Sequence, residues 1–141
     1  MSTQQSLRVA VIGAGPAGIY ASDLLIRNEE HEIYVDLFEQ MPAPFGLIRY
    51  GVAPDHPRIK GIVKSLHNVL DRPRLRLLGN IEVGRDITVE ELREHYDAVV
   101  FATGAVRDRA LDIPGVEAEG SFGAADFVGF YDGTPRFSRD W

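Results

Sequence analysis

The sequence predicts an α/β fold with a doubly wound parallel sheet, and three features carry that prediction. Residues 7–12 (LRVAVI) are an apolar run of strand type that ends directly in Gly13-Ala14-Gly15-Pro16-Ala17-Gly18, and a helical pattern opens straight after it. A second strand-type run, residues 33–38 (IYVDLF), closes on Glu39, 21 positions after Gly18. A third, residues 97–102 (DAVVFA), is an apolar run bounded by Thr103-Gly104, as expected of a central buried strand. Parallel strands joined through a helix demand a right-handed βαβ crossover. The expected sheet is Rossmann-like.

The turn after the first strand has the G-x-G-x-x-G spacing in the context it needs, between a strand and a helix. Gly13 permits the sharp turn, Gly15 lets a pyrophosphate approach the backbone without meeting a Cβ, and Gly18 lets the helix pack closely on the strand. The first N–H groups of that helix are unpaired and carry the positive end of its dipole, so they favour a diphosphate. Pro16 falls where a missing N–H costs little. The helix is predicted over residues 16–28, with Ile19, Tyr20, Leu24 and Leu25 at helical spacing and Ala17 and Ala21 small enough for close contact.

Glu39 stands where an acidic side chain accepts hydrogen bonds from both ribose hydroxyls of an adenosine. It would repel a 2′-phosphate, so this first site suits FAD or NAD and argues against NADP. The other reading of Glu39 is a strand cap at the surface.

Residues 41–57 break the pattern. They hold Pro42, Pro44, Gly46, Gly51, Pro54 and Pro57, yet Phe45, Leu47, Ile48, Tyr50 and Val52 are apolar. A long loop of that kind is expected to be ordered and to line a ligand site. Residues 57–70 then read as one helix with Ile59, Ile62, Val63, Leu66, Val69 and Leu70 on one face. Residues 75–78 and 81–83 read as short strands. Thr88-x-x-Glu91 is a capping box that opens a short helix carrying Leu92 and Tyr96. Ile113-Pro114-Gly115 is a turn, and residues 124–130 form one or two helical turns.

Composition bounds the rest. The 141 residues suit one domain, with 45% hydrophobic and 26% charged residues and no low-complexity tract. A net charge of −6 excludes nonspecific affinity for nucleic acid or anionic membrane, and the 13 aromatics are not interleaved with a basic stripe. Cysteine is absent, which removes disulfides, thiolate metal sites and redox dithiols from this stretch. The four histidines, His31, His56, His67 and His95, lack ligand spacing, so no metal site is expected. No apolar run approaches the ~18 residues of a membrane span, and no signal or transit pattern precedes the first strand. The expected setting is cytoplasmic. Between Arg58 and Arg76 six cations (Arg58, Lys60, Lys64, Arg72, Arg74, Arg76) meet one acid, Asp71. That is either a docking patch or a solvated helix face and strand rim.

Together, Gly13–Gly18, Glu39, the loop FGLIRYGVAPDHP (residues 45–57) and Ala102-Thr103-Gly104-Ala105 occur in the order seen in adrenodoxin reductase-like ferredoxin–NADP reductases, which this chain resembles from residue 7 to about residue 131. The long loop is the discriminating item; it speaks against a glutamate synthase small subunit-like electron donor with the same FAD half. The IPG turn and the residues around Asp126 (DFVGFY) also resemble the family. The resemblance implies a two-dinucleotide-binding-domain flavoprotein, with residues 1–105 as the FAD-binding βαβ portion of an incomplete FAD domain and 106–141 as a segment leading to an NADP-binding domain. By matching position, Gly13, Ala14, Gly15, Pro16, Ala17 and Gly18 would hold the pyrophosphate, and Glu39 the adenosine ribose with Gln40 beside it. Val83 would hold the adenine by its main chain. Leu47 would contact flavin or ribityl through its backbone, and Gly46, Ala102, Thr103 and Gly104 would approach the cofactor. His56 falls in an element placed near the isoalloxazine, as a candidate for proton handling, or else it is a turn histidine between Asp55 and Pro57.

The implied chemistry is hydride transfer from NADPH to FAD, then single-electron transfers to a ferredoxin-type iron–sulfur protein. Members of that family are much longer and carry a second glycine turn for NADP, which does not occur after Gly18 here, so the chain is expected to be an N-terminal portion. The alternative is a noncatalytic FAD- or adenine-nucleotide-binding module, which predicts nucleotide binding without turnover.

Overall fold

Alternation along the first two strands decides the architecture. In the computed structural model, which describes residues 6–105 and 107–137, β1 (Leu7–Ile12) turns Val9 and Val11 to one face and Ala10 and Ile12 to the other. The chain continues through α1 (Pro16–Ile26), β2 (Ile33–Glu39), α2 (Leu47–Tyr50), α3 (Pro57–Lys60), α4 (Val63–Leu70), β3 (Leu75–Gly79), α5 (Val89–His95), β4 (Ala98–Phe101) and α6 (Ala124–Tyr131). The four strands form one parallel sheet in the order β3-β2-β1-β4. The chain steps outward from β1 to β3, then crosses back through α5 to place β4 on the other side of β1. The strand order therefore reverses between β1 and β4, where ligands bind in doubly wound sheets. The fold class is as expected from the sequence.

One face is thickly covered. Val9, Val11, Ile33, Val35, Leu37 and Leu75 pack against Ile19 and Ile26 of α1 and Leu66 and Val69 of α4. The other face is thinner: Ala10, Ile12 and Phe38 pack on Leu92 of α5, with Val83, Ile87 and Tyr96 around them. Leu66 and Leu92 are fully buried, so truncating either to alanine removes about 3 kcal/mol.

Several elements depart from the sequence-based expectation. The buried face of α1 is Gly18, Ile19, Ser22, Asp23 and Ile26, while Leu24 is 71% exposed and Tyr20 half-exposed. Ser22 Oγ donates to Gly18 O at 2.7 Å, and Asp23 pairs with Arg27 and Arg72 at 3.2 and 2.8 Å. These polar groups, hydrogen-bonded or ion-paired within the protein, occupy core positions that an apolar count assigns elsewhere. The helix expected over 57–70 is two: its turn at Gly61-Ile62 is held by shorter-range bonds such as Ile62 N–H to Ile59 O, and Ile59 is half-exposed. The strand expected at 81–83 is a single bridge from Val83 to Ile87, because Asn80 and Gly84 take positive φ of 59° and 98° and curl the segment. The 97–102 run forms β4 but at the edge of the sheet, with Ala98 and Phe101 exposed; its apolarity reports two covered faces near Val99 and Val100, not a strand on either side. The 41–57 loop is ordered and contains α2. The Thr88–Glu91 capping box is present, with Thr88 Oγ1 accepting from Glu91 N–H at 3.1 Å and Glu91 Oε2 accepting from Thr88 N–H at 2.8 Å.

The expected connecting segment 106–141 includes residues 106 and 138–141, which lie outside the described residues. Within the rest of it, Asp108 Oδ2 accepts from Ala125 N–H at 2.8 Å and so caps α6 from a distance. The predicted basic patch is divided. Arg72 pairs with Asp23, Arg74 donates to Ile26 O, Arg76 binds Asp36, and Lys60 Nζ lies 3.4 Å from the Ile48 and Arg49 carbonyls; Arg58 and Lys64 face solvent. No helix of the described residues is long and apolar enough to cross a membrane.

The thin face carries one charged cluster. Asp36 receives a bidentate pair from Arg76 at 2.8 and 2.7 Å and the Tyr96 hydroxyl at 2.6 Å, with Arg8 Nη2 at 3.7 Å. Burial pushes the Asp36 carboxyl up, but hydrogen bonds from Arg76 and Tyr96 outweigh it and hold the group below its ordinary value. Burial and the Asp36 hydrogen bond push the Tyr96 hydroxyl up to about 12. Since the folded value of Asp36 is the lower one, its contribution is complete above the ordinary 3.8 and is lost as pH falls through the folded value. Asp36→Ala should therefore cost about 2 kcal/mol in urea unfolding at neutral pH and show a smaller acid loss of stability than the parent. Equal stability of the two at pH 7 would refute this role.

Candidate functional site

The carboxyl ends of β1, β2 and β4 converge on the glycine turn. Gly13 N–H donates to Phe38 O at 2.8 Å and Ala102 N–H to Ile12 O at 2.8 Å, so the turn is held from both neighbouring strands. Gly13 has φ +106°, and a Cβ there would meet Ala102 O at 2.4 Å. A Cβ on Gly18 would meet Gly13 O at 1.8 Å. Gly15 differs: nothing lies within 4 Å of where its Cβ would be. Two of the three glycines are thus required by the protein's own backbone, whereas the third faces open space at the amino end of α1. That end has no side-chain cap and no acid in its first turn, with Gly15 as N-cap and Pro16 and Ala17 following. The arrangement suits an anionic group laid against the backbone.

Glu39 ends β2 and is 6% exposed. Its Oε2 accepts from Ala14 N–H and its Oε1 from Met41 N–H, both at 2.9 Å. Each carboxylate oxygen keeps a further acceptor site. The Glu39 carbonyl accepts from Ile81 N–H at 3.0 Å, which draws the 81–83 segment past the same corner. Gln40 is half-buried next to it, and Val83 packs against the cluster of Ala10, Ile12, Phe38 and Leu92.

The 41–57 loop comes to the turn through Phe45, whose N–H donates to Ala14 O at 2.8 Å. Phe45 is completely buried at φ +90°, a region that a bulky residue rarely occupies. Its ring meets His67 edge-on at 4.8 Å, and the Arg49 guanidinium lies 5.1 Å from its centroid. Gly46 follows at φ +48°, and a Cβ there would stand 3.1 Å from Gly15 Cα. Leu47, first residue of α2, is 59% exposed. Thr103 and Gly104 lie exposed beyond β4, and the Thr103 Cα would be 3.1 Å from a Cβ on Gly13.

The structure thus brings Gly13–Gly18, Glu39, Gly46, Ala102 and Thr103 to one place, with Gln40, Leu47 and Gly104 adjacent in the chain. His56 is exposed at the N-cap of α3, with Nδ1 2.8 Å from Asp55 Oδ1. Phe45 was not among the predicted site residues, although it fixes the loop against the turn. Its signal was a Phe-Gly pair inside a proline-rich loop, where consecutive positive φ values are plausible only for the glycine.

Residues 7–132 match the pyridine nucleotide-disulphide oxidoreductase family. The chain belongs to this family. It has no cysteine, so the disulphide of the family's name has no counterpart in these 141 residues. It is 46% identical over 133 residues to the NADPH-ferredoxin reductase FprA of Mycobacterium leprae, covering 92% of this chain and 29% of that protein. It is 47% identical over 136 residues to the mitochondrial NADPH:adrenodoxin oxidoreductase of Homo sapiens, covering 96% and 27%. The structure of Mycobacterium tuberculosis FprA in complex with NADPH superposes with a TM-score of 0.90 at 43% identity, over 94% of this chain and 30% of that one. The chain spans less than a third of the length of these relatives.

The three glycines of the turn make a test of roles. Gly18→Ala forces a backbone collision and should cost about 3 kcal/mol or prevent folding, whereas Gly15→Ala should stay within about 0.5 kcal/mol of the parent. Thermal or urea unfolding of the two variants checks this; a destabilised Gly15→Ala would remove the case for Gly15 as a ligand-facing position.

Proposed function

We propose that this chain is the FAD-binding part of a flavoprotein reductase that passes electrons from NADPH, through FAD, to a ferredoxin-type iron–sulfur protein. The observation that carries the proposal is the open Gly15 at the uncapped end of α1, flanked by Gly46 and by the buried carboxylate of Glu39. In this reading the backbone of Gly13, Ala14, Gly15, Pro16, Ala17 and Gly18 holds the pyrophosphate. Glu39 accepts from the ribose hydroxyls on its remaining lone pairs, while Gln40 and the Val83 main chain border the adenine. Gly46, Leu47, Ala102, Thr103 and Gly104 border the flavin side. FAD, when bound, supplies hydride acceptance and one-electron donation; the residues here bind and orient it.

The relatives named for NADPH and for ferredoxin or adrenodoxin support the two redox partners. The sequence holds one G-x-G-x-x-G turn, and its ribose acid disfavours a 2′-phosphate, so the NADPH site is assigned to other parts of such a protein, reached through the 106–141 segment. His56, paired with Asp55, is the candidate for moving a proton near the flavin. Of the six cations from Arg58 to Arg76, exposed Arg58 and Lys64 are those outside the structural pairs described above and suit an acidic ferredoxin. A cytoplasmic setting is part of the same proposal.

The test is to incubate the purified chain with FAD, desalt it and record the visible spectrum, with direct titration of FAD and ADP alongside. Little FAD, read at ~450 nm, should survive desalting because the FAD domain is incomplete, whereas titration should show saturable binding of FAD and ADP. Gly15→Ala should weaken binding at least about tenfold at unchanged stability. Failure of the parent to bind FAD or ADP at any accessible concentration overturns the proposal. Steady NADPH oxidation by the 141-residue chain is not expected, and its occurrence would overturn the assignment of the NADPH site. ADP should bind better than its 2′-phosphorylated counterpart, and Glu39→Gln should narrow that gap by about tenfold; an unchanged ratio would leave Glu39 a structural residue alone.

A further inference from the structure

The chain beyond α6 returns to the corner formed by Glu39. Arg136 Nη2 donates to Gln40 Oε1 and lies 3.3 Å from Glu82 Oε2. Gln40 leaves β2 directly after Glu39. Glu82 lies between Ile81, whose N–H is bonded to the Glu39 carbonyl, and Val83. One guanidinium therefore joins the two short segments that border the proposed adenine position, from 96 and 54 residues away in sequence.

The Glu82 side of this contact is itself fixed. Glu82 Oε2 accepts from Arg85 Nη1 at 2.8 Å, and Glu82 N–H donates to Asp86 Oδ2 at 2.8 Å. Hydrogen bonds from Arg85 and from the Glu82 backbone hold the Asp86 carboxyl at about 2. The acids Glu82 and Asp86 balance the cations Arg85 and Arg136, so no net positive charge is left to attract a phosphate. On the Gln40 side, the amide oxygen is engaged by Arg136, which directs the two N–H donors of the amide elsewhere.

We propose that Arg136 is a positioning residue for the adenine-nucleotide half of the site: it clasps Gln40 and the 81–83 segment as opposite walls and presents the Gln40 amide N–H groups to an acceptor on the nucleotide. The proposal rests on the FAD reading given above. Both contacts are made by Nη2, so one nitrogen with two in-plane N–H groups serves both acceptors, in directions fixed by the guanidinium plane. Fixing both walls in advance removes part of the ordering cost of binding.

The experiment measures FAD and ADP affinity of the 141-residue chain for the parent, Arg136→Ala, Arg136→Lys, Gln40→Ala and the Gln40→Ala/Arg136→Ala double variant, with melting temperatures. Arg136→Ala should bind both FAD and ADP about fivefold more weakly at unchanged melting temperature. Arg136→Lys should fall between it and the parent. The losses in the double variant should be less than additive, since Arg136 acts in part through that amide and in part through Glu82. Unchanged affinity in Arg136→Ala, or fully additive losses in the double variant, overturns the clasp and leaves the FAD site standing. A parent chain that binds neither FAD nor ADP overturns the FAD reading and the clasp together.

Discussion

Gly18 approaches Gly13 so closely that a single methyl group would lie 1.8 Å from the Gly13 carbonyl oxygen, and the same turn presses Gly13 onto the Ala102 backbone. This contact seats α1 on the sheet. It also fixes where the first N–H groups of α1 point, because the helix cannot slide outward without losing Ile19 and Ile26 from the core. Packing this tight leaves backbone donors with no access to water, and Glu39 answers that need by accepting from Ala14 and Met41. The two readings of Glu39, strand-end cap and ribose acceptor, are therefore compatible. The carboxylate must be buried and oriented to hold the turn, and the same burial gives it a fixed direction for further hydrogen bonds.

Period-two alternation made the sheet legible. Val9 and Val11 against Ala10 and Ile12, and Val35 and Leu37 against Asp36 and Phe38, divide the faces as a strand must. The capping box was legible because both of its hydrogen bonds lie within four residues. The face of α1 was misread for a long-range reason. Ser22 is buried because its hydroxyl finds the Gly18 carbonyl, and Asp23 because Arg72, some fifty positions on, reaches it. Nothing near Asp23 in the sequence announces that partner. The same holds for 81–83, where an apolar run suggested a strand but Asn80 and Gly84 at positive φ turned it into a strap.

The site divides along the same line. The glycine turn, Glu39 and the Ala102-Thr103-Gly104 approach lie next to strand ends and follow from spacing. Arg136 does not, since its partners are set by the return of the chain after α6, which no local pattern encodes. The basic stretch from Arg58 to Arg76 misleads in the opposite sense. It reads as one surface of like charge, but four of its members serve to hold β2, α1 and α2 in place. Charge density along a sequence measures electrostatic potential only after internal pairing has been subtracted.

Phe45 fixes the loop against the turn through its own contacts. A phenylalanine at φ +90° carries a conformational cost of about 1–3 kcal/mol. Full burial of its ring contributes about 2–3 kcal/mol, and the bond from its N–H to Ala14 O adds to that. Favourable and unfavourable terms are of the same size, so the strained conformation persists. At the far end of the loop, Lys60 on the Ile48 and Arg49 carbonyls and Arg49 on the Pro44 carbonyl hold α2 in register. Gly46 is then set against Gly15 by contacts entirely internal to the protein. The two bare backbone positions are packed directly on each other, beside the point where the strand order reverses. An anionic linker laid along the open side of Gly15, where nothing lies within 4 Å of a Cβ position, would meet backbone rather than a side chain there.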